Sequence, residues 1–371
     1  MNRKEFLRTS GLLLPVSFLG VSGAEAIGKG TVGKETTETA AGASYLDSAS
    51  YKAHADKLKF NADGKFKIVQ FTDVHWVPGN PASEEAAERM NEVLDAEKPD
   101  FVIYTGDIVF AKPAAEGFRK AFEPVISRNL PFAVTLGNHD DEHDMSRQEI
   151  YAFIKDMPGS LTGTVEGLNG VTNFILPIQS SKGTKEAFIL YGFDSLAYSR
   201  KEEIKGYDWI KSDQIDWYRK SSAALRAKNS GKPLPALAFF HIPVPEYNQA
   251  ASDENTLLIG IRKEKACAPV VNSGLFTAML EAGDVMATFV GHDHVNDYVA
   301  NWKGILLGYG RFTGGKTVYH DVPGGNGARV FELTEGSRSF KSWIRLKDNK
   351  VISSIHYPTD FVKGGDSNPF A

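Results

Sequence analysis

The sequence predicts an α/β fold whose C-terminal part is rich in β-structure. Short apolar runs with many β-branched and aromatic residues, typical of buried strands, recur along the chain. Stretches with apolar residues at helical spacing separate most of these runs, whereas after residue 294 the runs follow one another directly. A chain of 371 residues, 42% of them hydrophobic, can bury the large core that such a fold requires.

Five of the predicted strands are followed directly by polar residues. The strands are expected over 66–71, 101–104, 132–135, 237–240 and 286–290. In an open α/β sheet, the loops that leave the carboxyl ends of the strands share one edge. Residues that are distant in sequence can therefore meet in one crevice.

Apolar residues at helical spacing predict helices between the strands. Ser83 is expected to cap the first helix, and the second is expected over 114–128. Ser146 and Glu149 have the spacing of a capping box, which predicts the start of a third helix. A further helix is expected to begin at Ser212.

Other strands are predicted outside the five strand-and-polar segments. The runs 171–178 and 187–191 flank a Ser-Ser-Lys-Gly turn and predict a β-hairpin. The β-rich C-terminal part is expected to contain strands near 297–300, 305–307, 317–319, 328–333 and 341–346.

The amino terminus has the pattern of an export signal. A positively charged start is followed by a short apolar stretch over 11–21 and by Ala24-Glu25-Ala26, which fits a cleavage site. The apolar stretch is too short to span a bilayer as a stable helix. We therefore expect residues 1–26 to be removed and the mature protein to be periplasmic or secreted, with no membrane association after cleavage.

Residues 27–57 contain mostly small and polar residues and few large apolar ones. Such a stretch cannot bury enough apolar surface to become ordered by itself, which predicts a flexible leader. The folded domain is accordingly expected to span 58–371.

The polar segments after the five strands contain residue types that bind divalent metal ions. Asp73 and His75 place a carboxylate and an imidazole on the same face of an extended chain, and His292 and His294 repeat that spacing. Asp107 follows a glycine and has two oxygens, which could bridge two ions. The full set of candidate ligands is Asp73, His75, Asp107, Asn138, His241, His292 and His294.

Each of these residues alone has an ordinary structural interpretation. A single His or Asp at the end of a strand is usually a hydrogen-bonded loop residue, and Gly-Asn and Gly-Asp pairs commonly form turns. Their coincidence favours a metal site, because five such segments follow apolar runs and together hold five of the nine histidines.

The order of the segments resembles a known family. Asp-x-His, Gly-Asp, Gly-Asn-His-Asp, His and Gly-His-x-His, from Asp73 to His294, are similar to the motifs of the calcineurin-like metallophosphoesterase superfamily. Segments 241–247 and 308–311 further resemble its small purple-acid-phosphatase-like branch. This resemblance implies the metallo-dependent phosphatase fold, a four-layer α/β/β/α sandwich of two packed mixed sheets.

The resemblance also implies a centre of two divalent or mixed-valence metal ions, which could be Mn, Zn or Fe. It assigns the candidate ligands to two sets that share Asp107. The first set is Asp73, His75, Asp107 and His294. The second set is Asp107, Asn138, His241 and His292.

Further roles follow from the same resemblance. His139 would protonate the leaving oxygen of the substrate, and Asp140 or Asp141 would orient its ring. Tyr247 and Arg311 are candidates for contacts with the substrate.

Two positions depart from the purple acid phosphatases, whose first motif lacks the histidine that this chain has at His75. Phe110 stands where those enzymes have a tyrosine that binds ferric iron and gives the colour. A phenyl ring cannot bind a metal ion in this way, so we expect no purple colour.

The function implied is phosphate ester hydrolysis by direct attack of a metal-activated water, with phosphomonoesters as the favoured substrates. A phosphodiesterase or nucleotide-cleaving enzyme is the alternative, since the same pair of metals serves both reactions. A non-catalytic binding protein that retains the metals is a third possibility, but it would be expected to lack a ligand or the acid, and none is missing. The formal net charge of −4 does not indicate nucleic-acid binding. We therefore expect a small phosphorylated substrate.

Overall fold

The computed structural model describes Leu46 and residues 49–362. The predicted export signal, most of the predicted leader and residues 363–371 lie outside the described residues. The helices are α1 (Ala49–His54), α2 (Pro81–Glu97), α3 (Ala114–Ile126), α4 (Arg147–Lys155), α5 (Ser212–Lys228), α6 (Glu246–Ser252) and α7 (Leu275–Ala282). Short 3₁₀ turns occur at Lys347–Asn349 and Thr359–Phe361.

The strands form two mixed sheets. They are β1 (Leu58–Lys59), β2 (Lys65–Phe71), β3 (Phe101–Thr105), β4 (Phe132–Thr135), β5 (Phe174–Gln179), β6 (Glu186–Gly192), β7 (Ala236–Phe239), β8 (Leu258–Ile259), β9 (Val285–Val290), β10 (Val299–Trp302), β11 (Ile305–Tyr309), β12 (Gly327–Thr334), β13 (Phe340–Leu346) and β14 (Val351–Tyr357). One sheet has the order β1-β5-β6-β7-β9-β11-β10-β8, and the other β14-β13-β12-β2-β3-β4. Parallel pairing joins β2 to β3, β3 to β4, and β7 to both β6 and β9.

The interior between the sheets is apolar. Ile68 and Phe331 of the six-stranded sheet belong to the same buried cluster as Leu237 and Phe289 of the eight-stranded sheet. Successive side chains of a strand point to opposite faces, so Val69, the neighbour of Ile68, belongs to a different cluster on the outer face. The two sheets therefore pack face to face.

Helices cover the two outer faces. Met90, Phe118 and Ile150 of α2, α3 and α4 pack with the outer residues of the six-stranded sheet. Trp217 and Phe276 of α5 and α7 pack with the outer residues of the eight-stranded sheet, as does α6. The structure confirms the expected four-layer α/β/β/α sandwich.

The five strands predicted before the polar segments are all present, as β2, β3, β4, β7 and β9. The predicted hairpin is formed by β5 and β6, which pair antiparallel. The capping box of Ser146 and Glu149 begins α4 as predicted. No strand forms near 317–319, where the chain makes a turn.

The start of α2 differs from the prediction. The helix begins at Pro81, and the side chain of Asn80 accepts a hydrogen bond from the backbone N–H of Ala82. Proline suits this position because it has no N–H to satisfy and its φ is already helical. Ser83 lies inside the first turn, where its hydroxyl is hydrogen-bonded to the backbone of Val77 instead.

The ordered fold also begins earlier than residue 58. Helix α1 lies inside the segment predicted to be a flexible leader, and Tyr51 on this helix is buried. The Tyr51 hydroxyl donates a hydrogen bond to Glu186 at the start of β6, with an O···O distance of 2.5 Å. The last part of residues 27–57 is therefore packed on the eight-stranded sheet.

Among the described residues, no helix has both the length and the apolar character needed to cross a bilayer.

Candidate metal centre

The five polar segments meet where the carboxyl ends of strands from both sheets come together. Within the six-stranded sheet, the N–H of Asp73 donates to the carbonyl of Gly106, and that of His75 donates to the carbonyl of Asp107, both at 3.0 Å. Between the sheets, the N–H of His292 donates to the Asp73 carboxylate at 2.9 Å. The loops are thus held together by backbone hydrogen bonds as well as by packing.

The backbone of these loops is unusual. Asp73, His75, Asp107 and His292 all have positive φ, with values of 53°, 46°, 51° and 80°. Non-glycine residues rarely adopt this region, and such conformations concentrate at functional sites. The local backbone therefore gives up some stability to aim these side chains inward.

Two glycines allow the loops to approach closely. A Cβ at Gly137 would lie 2.1 Å from Oδ1 of Asp107. A Cβ at Gly291 would lie 2.0 Å from Oγ1 of Thr72 and 2.7 Å from Oδ2 of Asp73. All three distances are far below van der Waals contact, so a side chain at either glycine would displace the neighbouring carboxylate.

The first group of donors consists of Asp73, His75, Asp107 and His294, whose ligand atoms all lie within 4.8 Å of one another. The Nε2 atoms of His75 and His294 are 3.0 Å apart. Nε2 of His294 is 3.6 Å from Asp73 Oδ1, and Nε2 of His75 is 3.7 Å from Asp107 Oδ2. This is the set that the family resemblance implied for the first metal ion.

The second group consists of Asp107, His241 and His292, again within 4.8 Å of one another. Nε2 of His241 is 3.1 Å from Asp107 Oδ2 and 3.2 Å from Nδ1 of His292. Asn138 adds an amide whose Oδ1 is buried and has no hydrogen-bond partner among the described residues. Oδ2 of Asp107 thus lies close to both groups, which is the position required of a bridging ligand.

Hydrogen bonds from the outer ring nitrogens fix how the imidazoles face the centre. Nδ1 of His241 donates to the carbonyl of Thr105 at 2.7 Å, and Nδ1 of His294 donates to the carbonyl of Tyr319 at 2.8 Å. Nε2 of both rings therefore faces inward, as in metal sites in which a hydrogen bond from the outer nitrogen fixes the orientation of the ligand. Ring nitrogens this close together need either a proton or a metal ion between them, because two facing lone pairs repel one another. The residues present fit two metal ions.

The electrostatics of the centre agree with this fit. Burial holds the pKa values of His75 and His292 well below their usual range and lowers the pKa of His294 to about 4, so these rings are neutral at pH 7. Burial also opposes a charge on Asp107, but the neighbouring His241 and His75 hold the pKa of Asp107 well below its usual range. These three rings offer neutral nitrogen donors beside an ionised Asp107. Burial opposes a charge on His241, but the carboxylates of Asp107 and Asp73 raise the pKa of His241 to about 9, so this ring carries a proton at pH 7 that a bound metal ion would replace.

His139 lies at the edge of this centre, as expected for the acid. Its backbone N–H donates to Asp107 Oδ1 at 2.8 Å, and its ring lies edge-on to His75 with a centroid distance of 5.5 Å. Phe110 contacts the rings of His75 and His139 at centroid distances of 5.1 Å. The phenylalanine thus packs beside the first group of donors without contributing a ligand atom.

The expectation that Asp140 or Asp141 orients His139 is wrong. The buried carboxylate of Asp140 instead accepts backbone N–H groups, from Asp107 and Gly137 on one oxygen and from Ile108 on the other. Asp141 pairs with Arg147 at 2.8 Å. The carboxylate that meets Nδ1 of His139 belongs to Glu142, at 2.6 Å.

Tyr247 and Arg311 do not reach the centre either. The hydroxyl of Tyr247 is buried against Thr288 and the carbonyl of Gly308. Arg311 is buried and paired with Asp297. Both residues support the inner structure of the domain, and the expectation of substrate contacts is wrong for both.

Sequence reasoning missed three tyrosines whose rings lie around His292 and His294. The ring of Tyr207 lies edge-on to His292 with a centroid distance of 4.4 Å, and Tyr198 stacks on Tyr207 at 5.7 Å. The ring of Tyr319 stacks on His294 at 4.5 Å. These residues come from loops far from the motifs, and no local pattern marks them.

Comparison with known proteins shows to which family the chain is similar. The family model of the calcineurin-like phosphoesterases matches residues 66–296. The chain is 34% identical over 347 residues to "Probable inactive purple acid phosphatase 29" of Arabidopsis thaliana, covering 82% of this chain and 87% of that protein. It is 33% identical over 330 residues to "Phosphatase DCR2" of Saccharomyces cerevisiae, covering 79% of this chain and 55% of that protein.

Among solved structures, the fold is similar to that of a dimetal phosphatase from Danio rerio. The TM-score is 0.57 at 12% sequence identity, covering 78% of this chain and 98% of that chain. At this identity the likeness concerns the fold alone. The family match and the sequence relatives carry the assignment, and the chain belongs to the calcineurin-like phosphoesterase family, in its purple-acid-phosphatase-like branch.

Proposed function

We propose that this protein is an active phosphomonoesterase that works with two metal ions. The observation that carries the proposal is the pair of donor groups that share Asp107. Asp73, His75, Asp107 and His294 would hold one ion, and Asp107, Asn138, His241 and His292 the other. A pair of ions supplies an activated water and neutralises charge on the phosphoryl group of a bound ester.

The residues of the chain have distinct tasks in this proposal. The Asp107 carboxylate holds both halves of the centre together, and the backbone carbonyls of Thr105 and Tyr319 keep Nε2 of His241 and His294 directed inward. His139 has Nδ1 engaged with Glu142, so its Nε2 is the nitrogen that can give a proton to the leaving oxygen. Its position next to Asp107 in space is consistent with this role.

The proposal differs from what the name of the Arabidopsis relative says of that protein. A chain that had become a non-catalytic metal-binding protein would be expected to have lost a ligand or the acid. Here all seven candidate ligands and His139 are present and gathered, which supports activity.

The preference for monoesters is supported by the branch resemblance and by the name of the yeast relative. The test uses the purified protein freed of metal and then supplied separately with Mn²⁺, Zn²⁺ or Fe²⁺, with 4-nitrophenyl phosphate and bis(4-nitrophenyl) phosphate as substrates. Asp107→Asn serves as the inactive control. Faster hydrolysis of the monoester is expected. A diester that is by far the better substrate would refute the monoester preference, and hydrolysis of neither ester by protein with two bound ions would refute the enzyme assignment.

We also propose that the protein is exported and that its substrate is a small phosphorylated molecule outside the cytoplasm. The support for export is the pattern of residues 1–26, and the support for a small substrate is the net negative charge. Cell fractionation and amino-terminal sequencing of the mature protein would test export. A mature chain that begins at Ile27 is expected, and an uncleaved chain in the cytoplasm would contradict the proposal.

A further inference from the structure

A chain of hydrogen bonds leads out of the metal centre and returns to it. Nδ2 of Asn138 donates to the hydroxyl of Tyr198 at 3.1 Å, and that hydroxyl donates to Oε1 of Glu142 at 2.9 Å. The other oxygen of Glu142, Oε2, meets Nδ1 of His139 at 2.6 Å. One carboxylate and one phenol therefore connect a candidate metal ligand to the candidate acid.

The direction of each hydrogen bond in this chain is fixed by chemistry. A carboxylate can only accept, so both the Tyr198 hydroxyl and Nδ1 of His139 must donate to Glu142. Because the phenol uses its hydrogen on Glu142, its oxygen is left to accept from the amide of Asn138. The Asn138 amide is therefore oriented with Nδ2 toward Tyr198 and Oδ1 away from it. Oδ1 is the buried atom without a partner among the described residues.

Tyr198 is held in place although its side chain is exposed by 44%. Residues 197–208 form a loop closed by two backbone hydrogen bonds, from Ser199 N–H to Gly206 and from Asp208 N–H to Ala197, at 2.9 and 3.0 Å. The ring of Tyr198 stacks on Tyr207, at an interplanar angle of 24°. The hydroxyl is therefore presented from a structured loop.

We propose that Glu142 and Tyr198 are positioning residues that together orient the Asn138 amide toward the second metal ion and the His139 ring toward the substrate. The His139 part of this inference rests on the proposed function. The Asn138 part concerns metal binding and does not depend on activity.

The first test measures metal binding alone. Zn²⁺ is titrated calorimetrically into metal-free wild type, Tyr198→Phe and the control Tyr151→Phe, which removes a hydroxyl from α4. Loss of a hydrogen-bond partner of a metal ligand typically weakens metal binding by about 10–100-fold, so we expect Tyr198→Phe to raise the Kd of the weaker ion by about 10-fold. Tyr198→Phe keeps the stacked ring, and unchanged far-UV circular dichroism would verify folding. Two ions bound as tightly as in wild type would overturn the Asn138 part.

The second test separates orientation of His139 from a general effect on activity. Glu142→Gln and the surface control Glu88→Gln are compared with 4-nitrophenyl phosphate, which has a good leaving group, and with an alkyl phosphate, which needs protonation of its leaving oxygen. We expect Glu142→Gln to lower kcat for the alkyl ester by about 10²-fold, near the lower limit for general acid catalysis, with a smaller effect on the aryl ester. Equal losses for the two esters, or none, would overturn the His139 part.

A double-mutant comparison shows whether Glu142 acts through His139. In a His139→Ala background, and with zinc supplied at a concentration that keeps both ions bound, Glu142→Gln should cause no further loss of kcat for the alkyl ester. A further loss equal to that seen in wild type would contradict the proposal. If wild type with two bound ions hydrolyses neither ester, the proposed function and the His139 part both fail, whereas the zinc titration of Tyr198→Phe still decides the Asn138 part.

Discussion

Substituting Asp140 by asparagine tests how the loops of the metal centre are held. The carboxylate is fully buried and receives the N–H groups of Asp107 and Gly137 on Oδ2, at 3.0 and 2.8 Å, and that of Ile108 on Oδ1, at 2.7 Å. The N–H of Val109 also points to Oδ1, at 3.3 Å. An asparagine has one oxygen and one NH₂ group, so two of the four N–H groups would face a donor.

Each buried N–H without a partner costs about 1–3 kcal/mol. Asp140→Asn should therefore lower the free energy of unfolding by about 2–6 kcal/mol, since two such groups lose their acceptor. The same N–H groups belong to the loops that present Asp107 and Asn138, so metal affinity should fall as well, by about 10-fold. Urea unfolding of the metal-free protein, followed by tryptophan fluorescence, measures the first effect, and zinc titration measures the second.

Asp144→Asn is the matched control for this substitution. Asp144 accepts a single backbone N–H, that of Ala114 at 2.8 Å, and the oxygen of an asparagine can replace that interaction. We expect a change within about 0.5 kcal/mol, as for ordinary surface substitutions. If Asp140→Asn is equally mild, the view that this carboxylate organises the loops is refuted.

Three further predictions concern the metal ligand, the acid and the response to pH. Asn138→Ala should weaken binding of one of two zinc ions and remove most activity, and metal analysis after dialysis that still finds two tightly held ions would argue against the ligand assignment. His139→Ala should leave two ions bound and lower kcat by about 10²–10⁴-fold for esters with poor leaving groups; full turnover would exclude His139 as the acid. Burial opposes a charge on Asp194, but Arg147, 2.6 Å away, lowers the pKa of Asp194 below its usual value. A carboxyl group with a lowered folded-state pKa stabilises the protein above its unfolded pKa of about 3.9, and this contribution is lost as the pH falls through the folded-state pKa. The difference in unfolding free energy between wild type and Asp194→Asn should therefore shrink below about pH 4, and a difference that is constant from pH 6 to pH 3 would contradict the pairing.

Much of the metal centre could be predicted from the sequence because its information is local. The run of β3 is fully buried and ends directly before Gly106 and Asp107. Neighbouring residues therefore predict both the strand and the polar residue that follows it. The rule that loops at the carboxyl ends of parallel strands share an edge then supplies the long-range step. The family resemblance provided the division of the ligands between two ions.

The carboxylate that contacts the His139 ring could not be identified from closeness in sequence alone. The chain turns after His139, with the N–H of Glu142 donating to the His139 carbonyl at 3.2 Å. This turn brings the third residue after His139 back over the ring and directs Asp140 into the protein, toward the loop after β3. A polar run that follows a turn-forming Gly-Asn pair is a local signal for such a turn.

The tyrosines around the metal centre could not be predicted from the sequence, for a different reason. Tyr198 and Tyr207 contact the site from a loop whose path depends on an antiparallel bridge between these two residues. Neither the spacing nor the composition of that loop indicates which strand end it covers. Its position is a consequence of tertiary packing. The start of α2 differs in this respect, because Asn80 and Pro81 mark it locally.

The ligands of the metal centre come from both sheets, so the fold must hold the two sheets at a fixed distance from each other. Asp73, His75, Asp107 and Asn138 follow strands of the six-stranded sheet, whereas His241, His292 and His294 follow strands of the eight-stranded sheet. Neither sheet alone supplies a complete set of ligands, and the 3.1 Å distance between His241 and Asp107 joins one sheet to the other.

The distance between the two halves of the centre therefore depends on the apolar packing between the sheets. Phe289 of β9 and Phe331 of β12 meet in that interface at a ring-centroid distance of 4.5 Å. Protein interiors are close-packed and transmit small displacements. A change in this interface shifts β9 relative to the neighbouring sheet, and with it the loop that presents His292 and His294. For that reason the core between the sheets, and not only the ligand loops, sets the geometry of the metal centre.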